Sequence, residues 1–337
     1  MPSGPGLGPL SHSVVLLEAG LPGFRSALAA LSLGERDAGI YVLELTREGV
    51  VVGDRWSDGC LAVDVTLEHA HRVQEEAPIG DATRTLGDQF GLYPNHARIL
   101  QHLRKCGFTA LPDILWRKPT NAPNKFMGSG VLPVGAYVTL EHEYILIARK
   151  GARRVFSSER EKKKRRESAL FWEERNVWYS DVWTDLTGTG QGLSPGTARS
   201  RSAAYPFELA YRLINMFSLR NDTVLDPFLG TGTTLLASMA SQRHSVGFEL
   251  DNSLRATIEK GCASIVDQAN DYIRARLERH AQFVADREVK HRNRRYGFGV
   301  VSAQEREIRL NALSAVSAVG DDEYEVRYAA RKRCVRA

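Results

Sequence analysis

Residues 224–237 read VLDPFLGTGTTLLA: an apolar run ending in Asp226, then Pro227 and Phe228, then glycines at 230 and 232 among threonines at 231, 233 and 234. Glycine has no Cβ, so a Gly-rich turn between a strand and a helix lets backbone N–H groups come close to a nucleotide or a small anion. The first acid at the end of the next apolar run is Glu249, in VGFELD. A carboxylate there can accept both hydroxyls of a ribose. The turn lacks the third glycine that a dinucleotide pyrophosphate requires, and Asp226 can pair with an ammonium, which nicotinamide dinucleotides do not carry. An adenosine linked to an amino acid, S-adenosylmethionine, fits both ends. The turn by itself leaves two alternatives open, a tight strand-to-helix connection with no ligand and a nicotinamide oxidoreductase.

Three elements must position these groups. TVLD reads as the strand before the turn, TTLLASMASQRH as the helix after it, and SVGFELD as a second strand that carries Glu249. Ahead of them PFELAYRLINMFSL, 206–219, sets Leu209, Leu213, Ile214 and Phe217 on one helical stripe. Further upstream, IYVLELTREGVVVG at 40–53 gives two β-like runs around a charged turn, and LAVDVT at 61–66 alternates like a strand. YPNHARILQHLRKCGF has helical spacing stopped by Gly107, and LPDILWRK and HEYILIARKG read as strands. Residues 252–290 read as one long basic helix. Strands alternating with helices predict an α/β sheet that is largely parallel.

Composition sets the outer limits. At 337 residues, 43% hydrophobic and 25% charged, the chain can bury a sizeable core in one large domain or two. No apolar run approaches the roughly 18 residues of a membrane span, and no basic residue precedes the short apolar VVLL near the N-terminus, so a cytoplasmic protein with no membrane segment is expected. Cys60, Cys106, Cys262 and Cys334 have no metal-ligand or disulfide spacing, and no metal site is expected. The net charge of +5 is unevenly placed: Arg149 to Arg166 holds ten Lys or Arg against two Glu, an excess that suits a polyanion.

DPFLGTGTT resembles the first cofactor motif of the DNA amino-methyltransferases, which methylate cytosine N4 or adenine N6. VGFELD is similar to the family's second cofactor motif, and YPFELAYRLINMFS to the segment that precedes the first in the β-type motif order. GDATRT, GFTALPDILWRKPTNAPNKFMGSG and YVTLEHEYILIARKG resemble archaeal N4-cytosine methyltransferases, including those that protect CTAG sites; the likeness covers about residues 76–255. It implies a Rossmann-like, S-adenosylmethionine-dependent methyltransferase sheet, mostly parallel, with helices on both faces, one reversed strand and an inserted target-recognition region. It also implies double-stranded DNA as partner, a cognate restriction endonuclease, and cofactor roles for Asp226, Phe228, Gly230, Gly232, Thr233 and Glu249. Pro227, Thr231 and Thr234 complete that turn.

On this reading residues 1–40 are a poorly determined segment and 41–118 a shortened catalytic half. A target-recognition insertion follows at 119–202, then the cofactor half at 203–275 and a basic extension at 276–337.

An exocyclic amine is a poor nucleophile because its lone pair is delocalised into the ring. The family meets this with a Ser/Asp/Asn-Pro-Pro-aromatic loop whose polar groups accept the amine hydrogens while the ring stacks on the extruded base. This chain contains no Pro-Pro, and GDATRT begins fourteen residues after Thr66 (66 to 80), as if the loop and its helix were deleted. Three explanations compete: an altered reading of the gene, a relative that binds without catalysing, or another segment in the loop's place. Asp81 and Tyr93 are the nearest candidates for the last; a turn or cap and a packing ring are their plainer roles.

For nucleic acid, the candidates are the phosphate-neutralising cations Arg153, Arg154, Lys162, Lys163, Lys164, Arg165 and Arg166, read as a loop. Asn121, Asn124, Lys125 and Ser129 are candidate readers of base edges. Trp172, Trp178, Tyr179 and Trp183 either stack on a base or form core, with core favoured for Trp183. Arg274, Arg276 and Arg279 either touch phosphates or line a solvated helix face.

Overall fold

The structure is a computed structural model of the chain and describes residues 11–17, 39–45, 50–52, 82–86, 89–105, 107–117, 127–187, 189–190, 203–249 and 251–329. Asp81, Asn121, Asn124, Lys125 and the LAVDVT run lie outside these residues. The first half holds β1 (Ser11–Leu17), β2 (Gly39–Leu45), β3 (Val50–Val52), β4 (Ala82–Leu86), β5 (Gln89–Tyr93), α1 (Asn95–Lys105), β6 (Phe108–Ala110), β7 (Ile114–Arg117), β8 (Met127–Gly128), β9 (Ala136–Tyr137) and β10 (His142–Lys150). Next come α2 (Glu159–Glu167), α3 (Trp172–Trp178), β11 (Val182–Trp183), β12 (Thr189–Gly190), β13 (Ala203–Ala204) and α4 (Phe207–Phe217). The elements that flank the glycine turn, β14 (Thr223–Asp226), α5 (Thr233–Ser241) and β15 (His244–Phe248), follow. The chain closes with α6 (Arg255–Ala285), β16 (His291–Arg292), β17 (Gly299–Val300), β18 (Leu313–Ala318) and β19 (Glu323–Tyr328).

The fold is α/β. One sheet has the order β14-β15-β1-β19-β18. β14, β15 and β1 pair in parallel, while β19 runs antiparallel to both β1 and β18, so four strands share a direction and one is reversed. The mostly parallel α/β sheet with one reversed strand is as the sequence predicts, but β1 comes from the segment read as poorly determined and β18 and β19 from the one read as a basic extension. A second sheet, β11-β7-β10-β2-β3 with β6 also on β10, is antiparallel except at β11 and β7. Its β2 and β3 are separated only by residues 46–49, too few for the crossover that parallel neighbours need. GDATRT contributes a hairpin strand, β4 on β5, that its composition did not announce.

Apolar spacing becomes burial in α6. Ile258, Cys262, Ile265, Ala269, Ile273 and Leu277 form a buried stripe three or four residues apart, packed with Leu235 and Met239 of α5 and Tyr211 of α4. Each of the buried Ile and Leu side chains contributes about 1.5–3 kcal/mol. The long helix expected over 252–290 starts after a 3₁₀ turn at Asn252–Leu254 and ends at Ala285. Arg243 is wholly buried and closes two helix ends, donating to Ser218 O (2.6 Å) beyond α4 and to Ser241 O (2.6 Å) at the end of α5. Both carbonyls belong to C-termini, where a cation is favoured; burial lowers its pKa to about 10.

The basic helix holds its strongest cation inward. Arg276 is buried and donates to both oxygens of Glu174 in α3, each at 2.6 Å, and to the Tyr211 hydroxyl. It is therefore neither a phosphate contact nor part of a solvated face. Arg274 is exposed and pairs with Asp271; Arg279 is exposed over the Tyr272 ring. Trp178 and Phe171 join the same core, and Trp183 is buried with its indole N–H on Trp178 O at 3.1 Å. Trp172 and Tyr179 keep nearly half their surface exposed. Phe171 and Trp178, in the segment expected as an insertion, thus share one core with α4, α5 and α6.

His280 is a second buried basic side chain on α6. Its Nδ1 lies 2.8 Å from Glu173 and its Nε2 3.0 Å from Gly299 O, and its ring stacks on Phe171. Burial pushes its pKa down, but Glu173 and the Gly299 carbonyl more than offset this and raise it.

Glu174→Ala leaves Arg276 buried without its counter-ion and is expected to cost about 3–5 kcal/mol in urea unfolding. His280 contributes stability that is complete below its ordinary pKa of 6.5 and fades as pH rises through the raised folded value. His280→Gln should accordingly flatten the fall in stability measured from pH 6 to 8.

Candidate functional site

The register of β14 on β15 places Asp226 opposite Gly247, so Glu249 emerges two residues later beside the turn. Leu229 N–H donates to Phe248 O at 2.8 Å and ties the turn to β15. Gly230 N–H donates to Glu249 Oε2 at 2.7 Å, and Asp251 N–H to Glu249 Oε1 at 2.8 Å. These bonds fix the plane of the carboxylate, as a two-point contact to a diol requires. Gly230 and Gly232 have φ of 56° and 85°, the left-handed region that a side chain resists, and Gly232 caps α5. Asp226, Pro227, Phe228, Gly230, Thr231, Gly232, Thr233, Thr234 and Glu249 are gathered around one turn.

Asp226 is 1% exposed. Its Oδ1 accepts Phe228 N–H at 3.0 Å, and the Thr234 and Tyr205 hydroxyls reach the carboxylate as well. Burial raises its pKa, those three donors pull it back, and the Glu249 charge raises it again. Among the described residues no Lys, Arg or His forms an ion pair with it. A buried carboxylate without a cation, beside a backbone-held second carboxylate, suits a ligand carrying an ammonium and a ribose. Tyr205 is not predicted from the sequence: its segment, YPFEL, carries a family likeness, but no spacing rule points to its hydroxyl.

The basic run is mostly a helix, not a loop. Ser158 and Glu161 form a reciprocal cap at the start of α2, and Lys164, Arg165 and Arg166 fill its last turn. Two cations expected at phosphates point inward instead. Arg154 and Lys164 each reach a carboxylate oxygen of the buried Asp222 at 2.7 Å. Burial alone would raise the Asp222 pKa, yet Arg154 and Lys164 outweigh it and hold it at about 2. Arg166 pairs with Glu307 at 3.0 Å and Lys162 with Glu159 at 3.0 Å, both partly exposed. Arg165 lies over the Phe156 ring, and Arg153, Arg160 and Lys163 are exposed. Ser129 donates its hydroxyl to Leu132 O within its own turn. Tyr93 ends β5.

Glu173, His280 and Glu305 lie close enough together to hold a metal ion. Hydrogen bonds already engage most of the group: both imidazole nitrogens have partners, and Glu305 accepts from Trp172 N at 2.9 Å and Ser302 N at 2.6 Å, while Glu173 Oε2 is buried without a hydrogen bond. Among the described residues no helix is long and apolar enough to cross a membrane.

Residues 57–260 match the family model N6_N4_Mtase, DNA methylase. The type II methyltransferase M.MthZI of Methanothermobacter thermautotrophicus is 50% identical over 250 residues, 74% of this chain and 70% of its own length. M.MjaI of Methanocaldococcus jannaschii is 50% identical over 182 residues, 54% of this chain and 58% of its own. A Thermus thermophilus protein solved in complex with S-adenosyl-L-methionine is 29% identical, covering 62% of this chain and 82% of that one, with a TM-score of 0.45.

Asp222→Asn removes the charge beneath Arg154 and Lys164 and is expected to cost about 3 kcal/mol near neutral pH. Because the folded pKa lies below the ordinary 3.8, this contribution is full above about pH 4 and is lost as pH falls through about 2. Urea unfolding of the two proteins from pH 6 to 2 should therefore converge at the acid end.

Proposed function

Because the chain belongs to the N6/N4 DNA methylase family, whose methyl donor is S-adenosyl-L-methionine, we propose that it methylates cytosine N4 at a specific site in duplex DNA, within a restriction-modification or host-marking system. The observation that carries this reading is the turn itself, which has a buried Asp226 at its start, with no cation paired to it among the described residues, and holds Glu249 from the end of the next strand on its Gly230 N–H. When bound, the donor supplies an electrophilic methyl on sulfur. The residues of this chain hold it: Glu249 for the ribose, Asp226 for the ammonium, and the Gly230–Gly232 backbone for close approach. A nicotinamide cofactor offers no partner for Asp226.

For DNA, exposed Arg153, Lys162, Lys163 and Arg165 are proposed as phosphate contacts, and Asn121, Asn124 and Lys125 as base-edge readers. The type II names of M.MthZI and M.MjaI favour a site-specific enzyme paired with an endonuclease, and the sequence likeness favours cytosine N4 and the site CTAG. A second reading, a DNA-binding relative that transfers no methyl group, is favoured by one observation: the chain has no Pro-Pro to present the acceptor amine.

Incubation with labelled S-adenosylmethionine and mixed-sequence DNA decides between them. The enzyme reading expects label above an Asp226→Ala control, recovered as N4-methylcytosine on nucleoside analysis. Label in N6-methyladenine moves the target base, and no label above the control leaves the silent relative.

A further inference from the structure

We propose that Tyr205 is a positioning residue, whose hydroxyl holds Asp226 ready to receive the ammonium of the methyl donor. The proposal rests on the assignment of Asp226 to that ammonium. Tyr205 stands just ahead of α4, Asp226 ends β14 and Thr234 lies in the first turn of α5, so one hydroxyl cluster joins the three elements that frame the site. The Tyr205 Oη is 2.6 Å from Thr234 Oγ1 and 3.4 Å from Asp226 Oδ2. Its ring is half-buried against both large core clusters, so packing fixes where the hydroxyl lies. Pro206, which follows it, caps α4 in extended backbone and limits movement further.

A carboxylate offers about four acceptor positions. Phe228 N–H donates to Asp226, and the Thr234 and Tyr205 hydroxyls share two protons among three contacts, one from each to the carboxylate and the 2.6 Å bond between them. The 3.4 Å Tyr205 contact is longer than the 3.0 Å Phe228 bond and lies beyond the usual O–H···O range, so an incoming ammonium displaces it more easily. The 2.6 Å bond to Thr234 survives that exchange. Without the tyrosine, a carboxylate that is desolvated and repelled by Glu249 loses one of the hydroxyls that restrain it and is free to turn away or take up a proton.

The test compares two ligands. S-adenosylhomocysteine carries the amino-acid group; methylthioadenosine has the same nucleoside without it. By calorimetry, Tyr205→Phe is expected to weaken S-adenosylhomocysteine about tenfold while methylthioadenosine changes by less than about twofold. The unliganded unfolding midpoint should stay at the wild-type value, because the ring is kept. Thr234→Val combined with Tyr205→Phe should lose no more than the larger single effect, since both act on one carboxylate. Unchanged S-adenosylhomocysteine affinity in Tyr205→Phe, or parallel loss of both ligands, overturns the proposal. Selective loss in Asp226→Asn alone overturns it while sparing the ammonium assignment. If Asp226→Asn alters neither ligand, that assignment falls and the role of Tyr205 with it.

Discussion

The parallel pairing of β14 with β15 is the constraint on which the cofactor site depends. Residue 226 faces residue 247 in that register, and a slip of one would turn Asp226 to the other side of the sheet and carry Glu249 away from Gly230. Two further bonds then complete the turn, Leu229 N–H to Phe248 O and Gly230 N–H to Glu249. Only residues without a Cβ accept the backbone angles at 230 and 232 at low cost, so the same glycines that open the turn also let its N–H groups face the acid.

Around this turn the chain uses arginine as internal scaffolding. Arg243 joins the ends of α4 and α5, Arg276 joins α6 to α3, and Arg212 donates to Asp185 and Glu208 at 2.6 and 2.7 Å while lying over Trp178 and Trp183. Buried ion pairs add little net stability compared with apolar packing, but removing one partner is costly, so they restrict which helix can sit against which. That is how α3, far from α6 in sequence, comes to lie in the same core.

Much of this was legible in the residues. The strand, glycine turn, helix and second strand of the cofactor half fall where periodicity and turn chemistry put them, as do α4, β10 and the hairpin of β2 and β3. The turn residues were readable because their chemistry is local: glycine spacing, a strand-ending acid, and a second acid after the next strand. The fate of the cations was not. Arg154, Lys164 and Arg276 look like their exposed neighbours in sequence, and only tertiary partners, Asp222 at one site and Glu174 at the other, draw them inward. Tyr205 is hidden for the same reason, since its role lies in contacts 21 and 29 residues away.

The anchoring of α2 on Asp222 changes what the basic run can contribute thermodynamically. Attraction to a polyanion draws much of its free energy from small ions released when a protein cation replaces them along the backbone. A cation already neutralised by a buried carboxylate releases none. Of the ten Lys and Arg between 149 and 166, Arg154 and Lys164 are withdrawn from that exchange. In return they fix the helix on which Arg160 and Lys163, one turn apart, face solvent. Two charges are thus lost to counter-ion release, and the exposed ones stand on a helix held in place by the Asp222 carboxylate.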